Sequence, residues 1–117
     1  SVEYGIYQRD GWRCRFCSIR VISPKARKLL VEMFPSVARW GRVNRDKHHA
    51  LSALNATLDH ILPHSRGGTN EESNLVAACG MCQFGRGHWT LEEVGFTDPR
   101  ERLPILDKWD GLTRLLR

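Results

Sequence analysis

Residues 58–68 read LDHILPHSRGG and place an acid, two histidines, an arginine and a glycine pair close together. Asp59 and His60 are adjacent, near the end of residues 56–62, whose loose apolar alternation predicts a β-strand. Residues 74–78, NLVAA, predict a returning strand, and the turn residues between the two predict a long hairpin loop. The pattern therefore predicts an antiparallel strand pair with Asp59 and His60 in its first strand.

Composition and charge restrict the class of protein. The chain has 117 residues, 41% of them apolar, so we expect one globular domain over residues 1–117. No apolar run approaches the roughly 18 residues of a membrane span and no signal peptide opens the chain, which predicts a cytoplasmic protein without a membrane partner. Residues 1–47 carry a net charge of +7 and residues 48–117 a net charge of −2. A one-sided basic excess is typical of proteins that meet phosphate, although a solvated surface gives the same composition.

The four cysteines form two CxxC pairs, Cys14 with Cys17 and Cys79 with Cys82. We call these pairs the first and the second knuckle, and together they match the ligand pattern of a tetrahedral four-cysteine zinc site. The 61 residues between the pairs exceed the usual zinc-finger spacing, so the site would be assembled by the tertiary structure. Disulfides would need an oxidising compartment, and a redox CxxC would need a βαβ pattern; the sequence supports neither. We therefore predict one structural Zn²⁺.

Helices are predicted on both sides of the strand pair. Ser23 and Pro24 supply an N-cap and a first-turn proline, and Thr90 opens a capping box. Residues 19–54 read as a basic helical insertion and residues 90–117 as a helical C-terminal tail. The predicted helices cover residues 2–10, 24–34, 45–54, the segment after Cys82 and the segment after Thr90, with short pieces after Asp98 and Asp110.

The motifs in their order, DHILPHSRGG, NL and CGMCQ, resemble the HNH endonuclease family of the ββα-metal fold. The resemblance covers about residues 3–18 and 57–88, because QRDGWRC before the first knuckle is also similar to the family. It implies an α+β fold, with a ββα-metal core, a four-cysteine zinc site and extra helices from the insertion and the tail. It also implies hydrolysis of phosphodiester bonds in DNA, by default double-stranded, with Mg²⁺ or another divalent cation such as Mn²⁺ or Ni²⁺.

The resemblance implies a role for each residue of the site. Asp59 would bind the divalent cation, His60 would deprotonate the attacking water, and Asn74 would brace the loop. Imidazole suits this task because its ordinary pKa of about 6.5 lies near neutral pH. The chain departs from the family after the second knuckle, where Asn or His is usual and Gln83 stands here. Gln83 would ligate through its carbonyl oxygen, or His88 would replace it, or the site is weakened.

DNA is the expected partner, and four arginines are candidates to contact its phosphates. Arg suits bidentate phosphate binding, although each could equally be a solvated side chain. A monomer or a homodimer, alone or as part of a longer chain, is compatible with the sequence. Two other functions stay open, a non-catalytic zinc module that binds nucleic acid and a zinc-stapled protein-interaction domain. The candidate phosphate contacts are Arg66 and Arg86 beside the site and Arg42 and Arg45 in the insertion.

Overall fold

The computed structural model describes the whole chain, Ser1–Arg117, as a mixture of helices and one small sheet. The predicted α+β class is confirmed, and two strands followed by a helix form the ββα unit. No helix has the length and apolar character that crossing a bilayer requires. The elements are α1 (Val2–Arg9), α2 (Pro24–Met33), α3 (His49–Leu54), β1 (Thr57–His60), β2 (Leu75–Ala78), α4 (Gly80–Arg86) and α5 (Leu91–Val94), with 3₁₀ turns at Asn44–Asp46, His64–Arg66, Glu72–Asn74, Pro99–Glu101 and Thr113–Leu116.

β1 and β2 pair antiparallel, with Thr57 opposite Ala78 and His60 opposite Leu75. All four residues of β2 are buried and those of β1 are half-buried. α1 packs against β2, and α4 packs against β1. His60 is the last residue of β1, so the Asp-His pair lies at the strand end, whereas the sequence pattern extended the strand to residue 62. Because side chains alternate along a strand, Thr57 and Asp59 share one face of β1.

The core is small, since only 22 of the 117 residues are buried. A chain of this length buries a modest share of its surface, so links between distant segments matter for its stability. The central cluster includes two of the zinc-binding candidates. Its buried members are Tyr7, Trp12, Cys14, Val21, Ala56, Ala77, Ala78 and Cys79.

A buried carboxylate joins the N-terminal segment to the sheet. Asp10 has no exposed surface, and it accepts hydrogen bonds from Arg9 Nε at 2.8 Å and Arg15 Nη1 at 3.1 Å. It also accepts from the backbone N–H of Ala77 in β2 at 2.8 Å. Arg9 in turn donates to the carbonyl of Leu75 at 2.6 Å. These bonds hold α1 and the first knuckle against β2.

The helix predicted over residues 45–54 is wrong in its first half. Lys47 forms an isolated antiparallel bridge with Trp40, and its ammonium lies 4.7 Å from the centre of the Trp40 ring. This pairing holds Lys47 in extended backbone, so α3 begins only at His49. The side chain of His48 caps α3 by accepting from the backbone N–H of Leu51 at 3.4 Å.

Other local predictions are confirmed. The Ser23 hydroxyl caps α2, and the Thr90–Glu93 capping box is complete, with both reciprocal bonds formed. α4 forms although it contains Gly85, because the sulfur of Cys79 caps its N-terminus by accepting from the backbone N–H of Cys82 at 3.4 Å. The second knuckle is therefore also the start of the helix that follows the sheet.

Candidate functional site

The four cysteines meet at one point, as the spacing predicted. Their sulfur atoms all lie within 4.8 Å of one another, and all four thiols are free. Sulfurs bound about 2.3 Å from a tetrahedral zinc lie about 3.8 Å apart, and Cys17 Sγ lies 3.8 Å from Cys79 Sγ. Burial raises the pKa of the Cys82 thiol to about 12. The donor set and its geometry fit a metal ion such as Zn²⁺.

His60 is held from the hairpin loop. Its Nε2 lies 2.8 Å from the amide oxygen of Asn70. An amide oxygen accepts and cannot donate, so in this contact Nε2 carries the proton and Nδ1 is left to accept one. The ring lies edge-on to His64, with centroids 6.2 Å apart. The arrangement leaves His60 able to act as a base through Nδ1.

Asp59 faces α4 and forms an ion pair there. Its Oδ2 accepts from Arg86 Nη1 at 3.1 Å, and its Oδ1 accepts from the backbone N–H of His60 at 2.9 Å. Burial raises the pKa of the Asp59 carboxyl, while the charge of Arg86 opposes that rise. The carboxylate is therefore half-buried and partly neutralised within the protein.

Arg86 is buried and connects β1 with α4. Its side chain has no exposed surface, and it also donates to the carbonyls of Ile61 and of Trp89, the latter at 3.1 Å. The prediction that Arg86 contacts phosphate is not supported by this burial, because every one of these bonds points into the protein. Its guanidinium instead joins the end of β1 to the end of α4.

The two candidates for the second cation ligand differ in position. Gln83 lies in α4 packed against β1, and its Nε2 donates to the carbonyl of Leu58 at 3.5 Å, while its carbonyl oxygen has no partner. His88 is exposed and stacks on Trp89, with ring centroids 4.7 Å apart, and forms no bond with Asp59. Asp59 and Gln83 thus offer oxygen donors from facing elements, which is the donor chemistry that Mg²⁺ and Mn²⁺ prefer.

Asn74 joins the two ends of the hairpin loop. Its Oδ1 accepts from the backbone N–H of Leu62 at 2.8 Å, and its Nδ2 donates to the carbonyls of Leu62 at 3.1 Å and Thr69 at 2.8 Å. These three bonds brace the loop directly after His60. The contribution of Asn74 to catalysis stays a prediction.

The remaining candidate phosphate contacts lie on the surface. Arg66 is exposed in the hairpin loop and pairs with Glu93 at 2.8 Å. Arg42 and Arg45 are exposed in the insertion and form no ion pair with any carboxylate. Both insertion arginines are therefore free to meet an anion, whereas Arg66 would first have to leave Glu93.

Comparison with known proteins agrees with this geometry. Residues 49–97 match the family described as HNH endonuclease. The resemblance found in the sequence is therefore confirmed over these residues. Searches of curated proteins and of solved structures gave no significant match.

The HNH match contains Asp59, His60, Asn74 and the second knuckle, but not the first knuckle. It begins at His49, so α3 lies inside it, although residues 19–54 were predicted to be an insertion. The match to this family indicates nuclease activity in general and a nucleic acid as the substrate. The four-cysteine cluster combines the second knuckle, inside the matched range, with Cys14 and Cys17 outside it.

Two residues that contact the candidate site or its supporting segments were not predicted from the sequence. Asn70 holds the His60 ring, and no spacing rule singles out an asparagine in a turn-rich loop. Asp10 anchors the first knuckle to β2, and its only signal was its place directly before that knuckle in QRDGWRC. Asn70 meets His60 across ten residues of one hairpin, whereas Asp10 meets Ala77 across 67 residues of chain.

Proposed function

We propose that the protein is a divalent-metal-dependent endonuclease that hydrolyses phosphodiester bonds in DNA, by default double-stranded. The observation that supports this most directly is the position of His60 at the end of β1, with Nε2 engaged by Asn70 and Nδ1 free. It stands next to Asp59, a carboxylate on the face of β1 that packs against α4. One strand end therefore supplies both a base and an anionic ligand.

In the proposed reaction, His60 Nδ1 accepts a proton from the water that attacks phosphorus. Asn70 and Asn74 position His60, Asn70 through the ring and Asn74 through the backbone after it. Asp59 and Gln83 would hold the cation through their oxygens. A divalent cation bound there would supply positive charge for the phosphate and for the departing 3′ oxygen.

The four-cysteine site has a separate part in this proposal. Cys14, Cys17, Cys79 and Cys82 would bind one structural Zn²⁺ and would not take part in cleavage. Four thiolates leave no open position for water or substrate on a tetrahedral zinc. The second knuckle caps α4, so the zinc would set the position of the helix that carries Gln83.

One observation favours a second candidate function, a non-catalytic zinc module that binds nucleic acid. The fully buried Arg86 already forms an ion pair with Asp59. This positive charge would weaken the binding of a cation to the same carboxylate. In that case Gln83 would not ligate and the protein would bind DNA without cutting it. The two functions differ in whether His60 affects the phosphodiester bond.

Plasmid nicking with and without Mg²⁺ or Mn²⁺ tests the proposal. His60→Ala should lower the rate of cleavage by about 10²–10⁴, the usual contribution of a general base, while DNA affinity stays unchanged. Asp59→Ala should abolish cation-dependent cleavage, and excess metal should not restore it. Glu71→Ala is the matched control, since it removes an exposed carboxylate of the same hairpin. Wild-type cleavage by pure His60→Ala protein would overturn the proposal and leave the binding module.

The same assay separates Gln83 from His88 as the second ligand. Gln83→Asn keeps a carbonyl donor and installs the family's usual residue, so activity should persist or rise. If His88 were the ligand, Gln83→Asn would change little and His88→Ala would be as damaging as Asp59→Ala. The exposure of His88 and its stacking on Trp89 favour Gln83.

A further inference from the structure

An open groove of about 720 Å³ lies between the basic insertion and α4. Thr57 of β1 and Gln83 of α4 both line it, so the groove extends to the face of β1 that carries Asp59. None of its lining residues is acidic, whereas Arg45, Lys47 and His49 are basic. The groove therefore suits an anionic ligand and includes Gln83, a proposed cation ligand.

Phe84 provides an unpartnered aromatic surface on the α4 side of this groove. Its side chain is 81% exposed, and it directly follows Gln83 in the chain. Met81 of the same helix also lines the groove and is 68% exposed, so the exposed apolar surface there is not a single side chain. An exposed aromatic ring beside basic side chains is the combination with which proteins bind unpaired nucleic acid, through stacking of bases and contact with phosphates.

The opposite side of the groove supplies the positive charge. Arg45 and Lys47 form no ion pair with any carboxylate, although Asp46 stands between them in the chain. Lys47 is held in place by the Trp40 ring, over which Arg27 also lies, 4.0 Å from the ring centre. A cation that is fixed and unneutralised at the edge of a groove is suited to phosphate.

Asn55 lines the groove and has a buried polar atom without a partner. The carboxamide oxygen of Asn55 is buried and accepts no hydrogen bond within the protein. Buried polar atoms of this kind are rare in native proteins, since the lost bond destabilises the fold.

We propose that the groove binds one unpaired nucleotide of the DNA strand beside the cleaved bond. The base stacks on Phe84, and the adjoining phosphates contact Arg45 and Lys47. This inference rests on the proposed function for the identity of the strand and adds its substrate class: DNA with an extruded or unpaired nucleotide next to the cut.

Binding measurements on the full chain carrying His60→Ala test the groove without cleavage. The probes are a labelled duplex and the same duplex with one unpaired nucleotide. Adding Phe84→Ala should weaken binding of the second probe by about tenfold, the usual effect of losing one stacked base, and should leave the plain duplex within about twofold. Phe84→Trp should retain the preference. Leu103→Ala is the control, because Leu103 is 90% exposed and lies outside the groove.

Two results would overturn the groove proposal. Equal losses on both probes would indicate that Phe84 wedges into paired DNA, and equal affinities of the Phe84→Ala and Leu103→Ala proteins would show that the ring meets no base. Either result is independent of the cleavage assay. If wild-type protein nicks plasmid and Phe84→Ala changes no affinity, only the groove proposal fails; if nothing is cut but the preference depends on Phe84, only the nuclease proposal fails.

Discussion

Asn70 is a hairpin-loop residue whose effect depends on one hydrogen bond, 2.8 Å from its amide oxygen to His60 Nε2. The bond selects which ring nitrogen carries the proton, and in the proposed mechanism it would orient the ring toward the attacking water. A lone asparagine among turn residues has no such meaning until the loop is folded back over the end of β1. Its importance therefore has to be tested through His60.

Asn70→Ala should lower kcat about tenfold with KM almost unchanged, because the lost hydrogen bond, worth about 1–1.5 kcal/mol, leaves the ring free to turn. Asn70→Asp keeps an acceptor oxygen in the same place and should retain most of the rate. Steady-state cleavage kinetics would measure both, with Ser65→Ala as a control at an exposed loop position. An Asp variant as slow as the Ala variant would contradict the tautomer argument.

The hairpin loop as an element depends on its two glycines in different ways. Gly67 ends the 3₁₀ turn His64–Arg66 with φ of 95°, and a Cβ there would meet open space. Gly68 approaches the backbone so closely that a Cβ would overlap the carbonyl of Leu62. Asn74 forms hydrogen bonds with the backbone of Leu62. A displacement of the Leu62 backbone would therefore also displace the chain directly after His60.

Gly68→Ala should destabilise the protein by about 1–3 kcal/mol, the usual cost of an overpacked site. It should also lower cleavage at least about tenfold, because displacement of the Leu62 backbone misplaces the catalytic base. Gly67→Ala is the matched control: left-handed backbone costs it about 1–2 kcal/mol, but activity per folded molecule should be kept. Chemical denaturation and cleavage rates check the pair, and equal activities would show that the loop adapts without moving His60.

The molecule as a whole is held by links between its N-terminal segment and the sheet. Asp10 makes one such link through Arg15 and Ala77, and the four-cysteine cluster makes the other. With 22 buried residues, the apolar core alone is small. We therefore expect the metal to contribute to folding as well as to the shape of the site.

Purified protein should contain about one tightly bound zinc per chain, consistent with a single four-thiolate site. Removing it with a strong chelator should cost at least about 3 kcal/mol, which corresponds to a fall in Tm of roughly 10–15 °C for a domain of this size. Added Zn²⁺ should restore the Tm and Mg²⁺ should not, since thiolates select the softer ion. A native disulfide among the four cysteines, or an unchanged Tm after zinc removal, would rule out this role.

Much of the fold could be predicted from residues that lie close together in the chain. The Ser23 cap, the Thr90–Glu93 capping box, the strand pair and the two knuckles all appear where the pattern indicated. Each is governed by local hydrogen bonding, by strand alternation or by the geometry of thiolates around a metal, and these depend on residue type and short spacing. The end of β1 at His60 does not belong to this group, because the apolar pattern extended the strand to residue 62.

Only the tertiary structure decided which partners the long and the loop side chains would find. Arg86 was a predicted phosphate contact, yet it is buried against Asp59; Asn70 was not singled out, yet it holds His60. Lys47 was predicted to be helical, yet it pairs with Trp40 in extended backbone. The physical reason is the same for all three side chains. Each is held by a partner, an acceptor or an aromatic ring, that comes into contact with it only when the chain folds. A short sequence pattern does not identify such a partner.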